Sequence, residues 1–250
     1  MIDTITFDLW NTLIHDTRAN GEKRTSSRLT SITEVLTSVG MRISLEDLKR
    51  GYFQCLENCV AIRKTGYDVS FQEQIKDFLE CSKKGMHSKL TEATVSKIES
   101  IYADVYLEFP SIIHPEAFNI LETLRTKNIK LAIVSNTSMT PGRTFRQFLF
   151  KHGLAQHFDA LVFSDELQIS KPNTLIFQHT LSKLSARADR TIHVGDQYQT
   201  DIKGAINTGM HSILIDPDPN PGDWDSGTPS YTFNSLASLL TELPKVTGDS

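Results

Sequence analysis

An aspartate that ends a β-rich run is the first residue in this chain that invites chemistry. Ile2 to Phe7 alternates and is rich in Ile and Thr, and Asp8 follows it directly. A carboxylate at the tip of a buried strand is costly unless it is paired or bound to a metal; the plain alternative is an aspartate that caps a turn or a helix. Asp196 and Asp201 stand in a GDxxxxD pattern after the strand-like His193-Val194, where a tight glycine turn would aim both carboxylates toward Asp8. Three convergent carboxylates need a cation, and hard oxygen ligands suit Mg²⁺. Asp201 would equally cap a helix beginning near Ile202, and both roles can hold at once. Lys171, just before Pro172, would bring a positive charge to balance Asp8 and a bound phosphate, although a solvated loop lysine fits the same position. Ser135 ends an apolar strand and either donates to a transferring phosphoryl oxygen or caps the next helix.

These residues matter only if the fold carries them to one place. Strand-like runs at 131–134, 160–163, 191–194 and 212–215 alternate with helical patterns, which predicts an α/β fold with a Rossmann-like parallel sheet flanked by helices. Open sheets of this kind bind ligands at the carboxyl edge, where Asp8 would lie. From about residue 15 to 107 helical periodicity dominates, as in Ile32, Val35, Leu36 and Val39, in Phe71, Ile75, Phe78 and Leu79, and in Val95, Ile98, Ile101, Tyr102 and Val105. The expected organisation is therefore a core of residues 1–14 and 108–250 with an inserted all-helical cap at 15–107. Pro110 and Pro115 suit the return linker, residues 216–223 with three alternate prolines suit a surface loop, and 231–233 and 236–243 suit a last strand and a terminal helix.

Composition narrows the partners. The 250 residues are 39% hydrophobic and 22% charged with a formal net charge of -4, so no basic footprint points to nucleic acid or an anionic membrane surface. No apolar run approaches the roughly 20 residues that span a bilayer, and the opening MIDTITFDLW lacks the features of a secretory signal; a cytoplasmic location and a small-molecule partner are expected. Cys55, Cys59 and Cys81 form neither an even disulfide framework nor a C-x-x-C pair. An apolar cap face would suit a homodimer, and burial against the core accounts for the same pattern.

Four short motifs stand in the order and approximate spacing of the haloacid dehalogenase superfamily: FDLWNTL at 7–13, IVSN at 133–136, SKP at 170–172 and HVGDQYQTDIKGA at 193–205. The chain resembles that family over residues 1–14 and about 110–240, while the helical insert matches only in position and character. The resemblance implies that Asp8 is a nucleophile forming a covalent ester, that Ser135, Asn136 and Lys171 hold the transferring group, and that Thr12 orients the nucleophile. It implies direct metal contacts from Asp8, Asp196 and the backbone carbonyl of Trp10, with Asp201 bound directly or through water.

Trp10 departs from the pattern, because phosphatases of this family usually carry a second aspartate there as general acid and base. Its loss is costly for poor leaving groups and matters little for acidic ones. Family dehalogenases carry an aromatic residue at this position and phosphonate hydrolases a small one; against a dehalogenase stands the complete GDxxxxD pair, since halide displacement by Asp8 needs no metal. Arg18, Arg24, Arg28 and Arg42 are available to a dehalogenase, but exposed helix arginines are the expectation. Trp10 is also expected to wall the substrate pocket. The preferred reading is a Mg²⁺-dependent hydrolase of a small phosphorylated compound through an aspartyl-phosphate on Asp8; the alternatives are a 2-haloacid dehalogenase and a non-catalytic binding protein on the same fold.

Overall fold

A computed structural model describes residues 1–220 and 224–248. Six strands form one parallel sheet in the order β5-β4-β1-β6-β7-β8: β1 (Thr4–Phe7), β4 (Lys130–Ser135), β5 (Ala160–Phe163), β6 (Thr191–Gly195), β7 (His211–Ile215) and β8 (Tyr231–Phe233). β1 lies between β4 and β6, with Phe7 opposite Ile133 and Val194. Every residue of β1 and β6 is buried, threonines and histidine included, because helices cover both faces of a parallel sheet. The alternation read in the first strand is therefore not a solvent pattern; Thr6 hides by bonding its hydroxyl to His193 Nδ1 at 2.8 Å.

The segment after β1 begins with a short strand, β2 (Ile14–His15), which pairs antiparallel with β3 (Ile112–Ile113) in the expected return linker. Between them stand α1 (Arg18–Ser38), α2 (Leu45–Arg63), α3 (Phe71–Ser82) and α4 (Glu92–Glu108). Each starts at a side-chain cap, Thr17, Ser44, Ser70 and Thr91 respectively, which satisfies an orphan backbone donor. Gly51 lets α2 approach α3 so closely that a Cβ there would fall 2.1 Å from Ser82 Oγ. Ile32, Leu36, Ile75, Phe78, Leu79, Ile98 and Tyr102 build a core of their own, distinct from the one under the sheet. Val39 does not join it: α1 ends at Ser38, leaving Val39 as a half-exposed cap residue. The end of α4 crosses over, placing Tyr106 in the sheet's core.

The remaining helices include α5 (Ala117–Thr126), α6 (Gly142–Lys151), α7 (Ser164–Leu167), α8 (Thr174–Leu184) and α9 (Lys203–Asn207). The expected terminal helix is two, α10 (Leu236–Thr241) and α11 (Leu243–Thr247), because Pro244 cannot donate to the preceding turn and instead opens a new helix. Asp216 to Asn220 form neither helix nor strand, while the last loop residues, Pro221, Gly222 and Asp223, lie outside the described residues. Among the described residues no helix is long and apolar enough to cross a membrane.

Candidate active site

β1 delivers Asp8 to the carboxyl edge of the sheet, where its N–H donates to the Val194 carbonyl at 2.8 Å. The chain then turns back through Asn11 at φ 54°, a conformation asparagine tolerates better than most residues, so that Leu13 and Ile14 bond to Leu9 O. Asn11 Nδ2 reaches Asp196 Oδ2 at 3.2 Å. At the end of β6, Gly195 is needed for space rather than for a special turn, since a Cβ there would lie 2.3 Å from Asp201 Cγ. Asp201 sits in a single π-turn, Tyr198–Ile202, and accepts from Gln197 N–H at 3.0 Å. It does not cap α9, which has no side-chain cap. The carboxylates of Asp8, Asp196 and Asp201 thereby converge, with ligand atoms within 4.8 Å of one another.

Lys171 enters from the loop after β5, and its Nζ donates to Asp8 Oδ1 at 2.5 Å and to Asp201 Oδ1 at 2.6 Å. It is 2% exposed, which replaces the picture of a solvated lysine with that of a fully buried ion pair. Asn136 clamps it: Lys171 N–H donates to Asn136 Oδ1 at 2.8 Å, and Asn136 Nδ2 donates to Lys171 O at 3.0 Å. Burial pushes the Asp8 carboxyl up to about 7; Lys171 opposes this, and Asp201 and Asp196 add to it. Asp196 is pushed up to about 6 by burial and by Asp201. Burial acts against Asp201 as well, but Lys171 and His193 outweigh it and hold that carboxyl below the usual range. Lys171 is correspondingly raised, because Asp201 and Asp8 overcome its desolvation.

A cavity of about 420 Å³ opens over this cluster, and Asp8, Trp10, Asn136, Lys171, Asp196 and Asp201 all line it. Two expected hydroxyls do not. Both are 1% exposed; among the described residues Ser135 Oγ makes a long 3.5 Å contact to Asn136 O, and Thr12 Oγ1 has no hydrogen-bond partner. Thr137 and Ser138, further along the chain, line the cavity instead, although the Thr137 hydroxyl is already bonded to Ser164 Oγ at 3.2 Å. They stood beside the IVSN run and needed only the strand's end point, one residue further than a motif can fix. Val60 and Arg63 at the end of α2 also line the cavity, and no sequence signal marks them. His193 was quoted only as part of a motif, yet its Nε2 meets Asp201 Oδ1 at 3.2 Å and its Nδ1 meets Thr6, so it orients one of the three carboxylates.

The fold is a parallel α/β sheet whose carboxyl edge gathers three acids around one buried lysine. The matching family is that of the haloacid dehalogenase-like hydrolases, whose model covers residues 45–215, and the chain belongs to it. It is 33% identical over 113 residues to a glyceraldehyde 3-phosphate phosphatase of Methanothermobacter thermautotrophicus, covering 44% of this chain and 48% of that one. With the haloacid dehalogenase-like hydrolase domain-containing protein 3 of Bos taurus it shares 34% identity over 162 residues, 61% and 62% of the two chains. The chain thus spans about half to three fifths of the length of these curated relatives. The solved structure of a 2-haloacid dehalogenase from Pseudomonas syringae pv. Tomato DC3000 superposes with a TM-score of 0.71 at 23% identity, covering 100% of this chain and 99% of that one; this likeness is one of fold.

Proposed function

We propose that this chain is a Mg²⁺-dependent hydrolase of small phosphate monoesters, with Asp8 as nucleophile and the helical block at 15–107 acting as a cap over the sheet edge. The observation that carries the reading is the excess of negative charge at the cavity floor: three carboxylates meet one ammonium. A divalent cation fits that donor set, which is all hard oxygen, and Asp8, Asp196, Asp201 and the Trp10 carbonyl are the groups that would hold it. When bound, it would neutralise charge on the phosphoryl oxygens. Lys171 occupies Asp8 Oδ1, so Oδ2 is the oxygen left to attack phosphorus; a bond forms from it to phosphorus as the bond to the leaving oxygen breaks. Water then attacks the phosphoryl group, releases phosphate and restores Asp8. Asn136 keeps Lys171 in place, and the segment Asn136, Thr137 and Ser138 that follows buried Ser135 at the end of β4 would face the phosphoryl group. Thr12 would set the loop that carries the nucleophile. Relatives named as phosphatases support this choice, and the three free cysteines agree with a cytoplasmic setting.

The test is phosphate release from an activated aryl phosphate by the purified chain with Mg²⁺ and with chelator. Turnover that needs the metal and disappears in Asp8→Asn is the expected result; no turnover in either condition defeats the reading. Trp10 alone favours the second reading, displacement of halide from a 2-haloacid by Asp8, for which halide would be released in the presence of chelator.

A further inference from the structure

We propose that the cavity on the far side of Trp10 is a second anion-binding subsite, and that the substrate is a small phosphate monoester carrying a second anionic group, a carboxylate or another phosphate. This rests on the phosphohydrolase reading of the Asp8 cavity. The second cavity, about 280 Å³, lies between α1, α2 and the loop at 138–140 and shares Trp10 and Ser138 with the first, so the two cavities lie on either side of one tryptophan. In this proposal the leaving group's tail reaches past Trp10 into it.

Its floor holds two buried guanidiniums, where sequence alone leads one to expect exposed helix arginines. Arg28 is 1% exposed; its Nε donates to Tyr102 O at 2.8 Å and its Nη1 to Tyr52 Oη at 3.2 Å, while Nη2 is buried without a partner. Its guanidinium carbon sits 4.2 Å from the centre of the Tyr102 ring, which offsets only part of the cost of a desolvated charge. Among the described residues no carboxylate pairs with it. Arg24 lines the same cavity and pairs with Asp16, with a further bond to Phe109 O at 2.7 Å. Arg24 thus has a carboxylate and Arg28 has none, and no described acidic residue lines the cavity. A buried positive charge left unmatched is stable when an anion completes it. Thr25, Ser138 and Thr140 also line the cavity, and Gly21, Thr25 and Phe53 are shared with an outer groove between α1 and α2.

Phosphoglycolate and ethyl phosphate differ chiefly in a carboxylate, and propane-1,3-diyl bisphosphate replaces it with a phosphate. In the wild type, kcat/KM for one or both doubly anionic esters should exceed that for ethyl phosphate by roughly 10- to 100-fold, the worth of a charge-assisted hydrogen bond, and the better of the two names the anion. That ratio should collapse toward one in Arg28→Met. Thr25→Asp, at a half-buried helix position, should do the same by repulsion without opening the core. Ratios near one in the wild type, or preserved in both folded variants, overturn the subsite. Binding separates its fate from that of the hydrolase reading: Trp10 fluorescence is titrated in an Asp8→Asn, Trp224→Phe chain, where Trp10 is the remaining tryptophan. Tighter binding of phosphoglycolate or the bisphosphate than of ethyl phosphate, with no ester turned over by the wild type, would keep the subsite and discard the hydrolase; equal binding of all three would discard the subsite.

Discussion

Two buried charge clusters face each other across Trp10, and they are unbalanced in opposite directions. At the sheet edge one lysine meets three carboxylates; under the helical block two arginines meet one carboxylate. The first cluster is built around strand ends, with β1 aiming Asp8 and Asn136 clamping the backbone of Lys171. The second is held by helix packing and aromatic faces, with Tyr52, Tyr102 and Tyr106 around the guanidiniums. The difference is the basis of both proposals: the acid-rich side is where the cation would bind, and the arginine-rich side is where the second anionic group would bind.

The strongest way to break that contrast is to remove its centre. Asp8→Asn should lower turnover of an aryl phosphate by roughly 10⁴- to 10⁶-fold, as loss of a covalent nucleophile does elsewhere, with the circular dichroism spectrum unchanged; residual turnover within tenfold of wild type would move the chemistry off Asp8. Lys171→Met should come next. Removing one partner of a buried ion pair costs about 3–5 kcal/mol, and here it leaves Asp8 and Asp201 without their ammonium. Urea unfolding of the metal-free variant should show that loss, and added Mg²⁺ should recover more stability than it adds to the wild type.

A more graded test uses pH. Asp8 and Asp196 titrate near 7 and near 6 against an ordinary value of 3.8, so between about pH 4 and 7 the folded chain binds more protons than the unfolded one. Stability then falls as pH rises through that window. Asp201, held low, acts in the opposite sense and costs stability only as pH falls below its ordinary value. In chelator the unfolding midpoint should therefore decline from pH 4 to 7, and Mg²⁺ should flatten the decline by favouring the ionised carboxylates. A flat profile in chelator would mean that the cluster is already balanced.

The same contrast governs what the sequence makes readable. Asp8 and Asp196 directly follow strand ends, where one residue's place in the chain decides its place in space; Lys171, beyond α7, and Asp201, in a π-turn, were legible from their motifs, and all four line one cavity. The strands themselves were readable because both faces are buried and the apolar runs are nearly continuous. Ser135 and Thr12 fell one position away from the rim because a motif cannot say where a strand's last buried residue ends. Arg24 and Arg28 could be named as candidates but not separated from exposed helix arginines, and Arg63 gave no signal: a long polar side chain on a helix gives the same pattern whether its head reaches solvent or a neighbouring ring. His193 was hidden for a related reason, since only pairing of β1 with β6 brings it to Thr6.

Trp10 is where the two clusters touch, and its replacement gives the smallest expected effect with the sharpest sign. Its ring packs edge-on against Phe145 at 5.5 Å and Tyr106 at 6.3 Å, contacts worth about 0.5–1.5 kcal/mol each beyond burial. Trp10→Asp restores a carboxylate beside the leaving group, and positioned acid help is typically worth about 10²- to 10⁴-fold for a poor leaving group. The variant also loses the wall that separates the two cavities, so a net gain of about tenfold is expected for ethyl phosphate and none for an aryl phosphate, whose leaving group needs no proton. A folded variant that gains equally on both esters would show that Trp10 restricts access; one that gains on neither would show that the wall, not the missing acid, is what position 10 contributes.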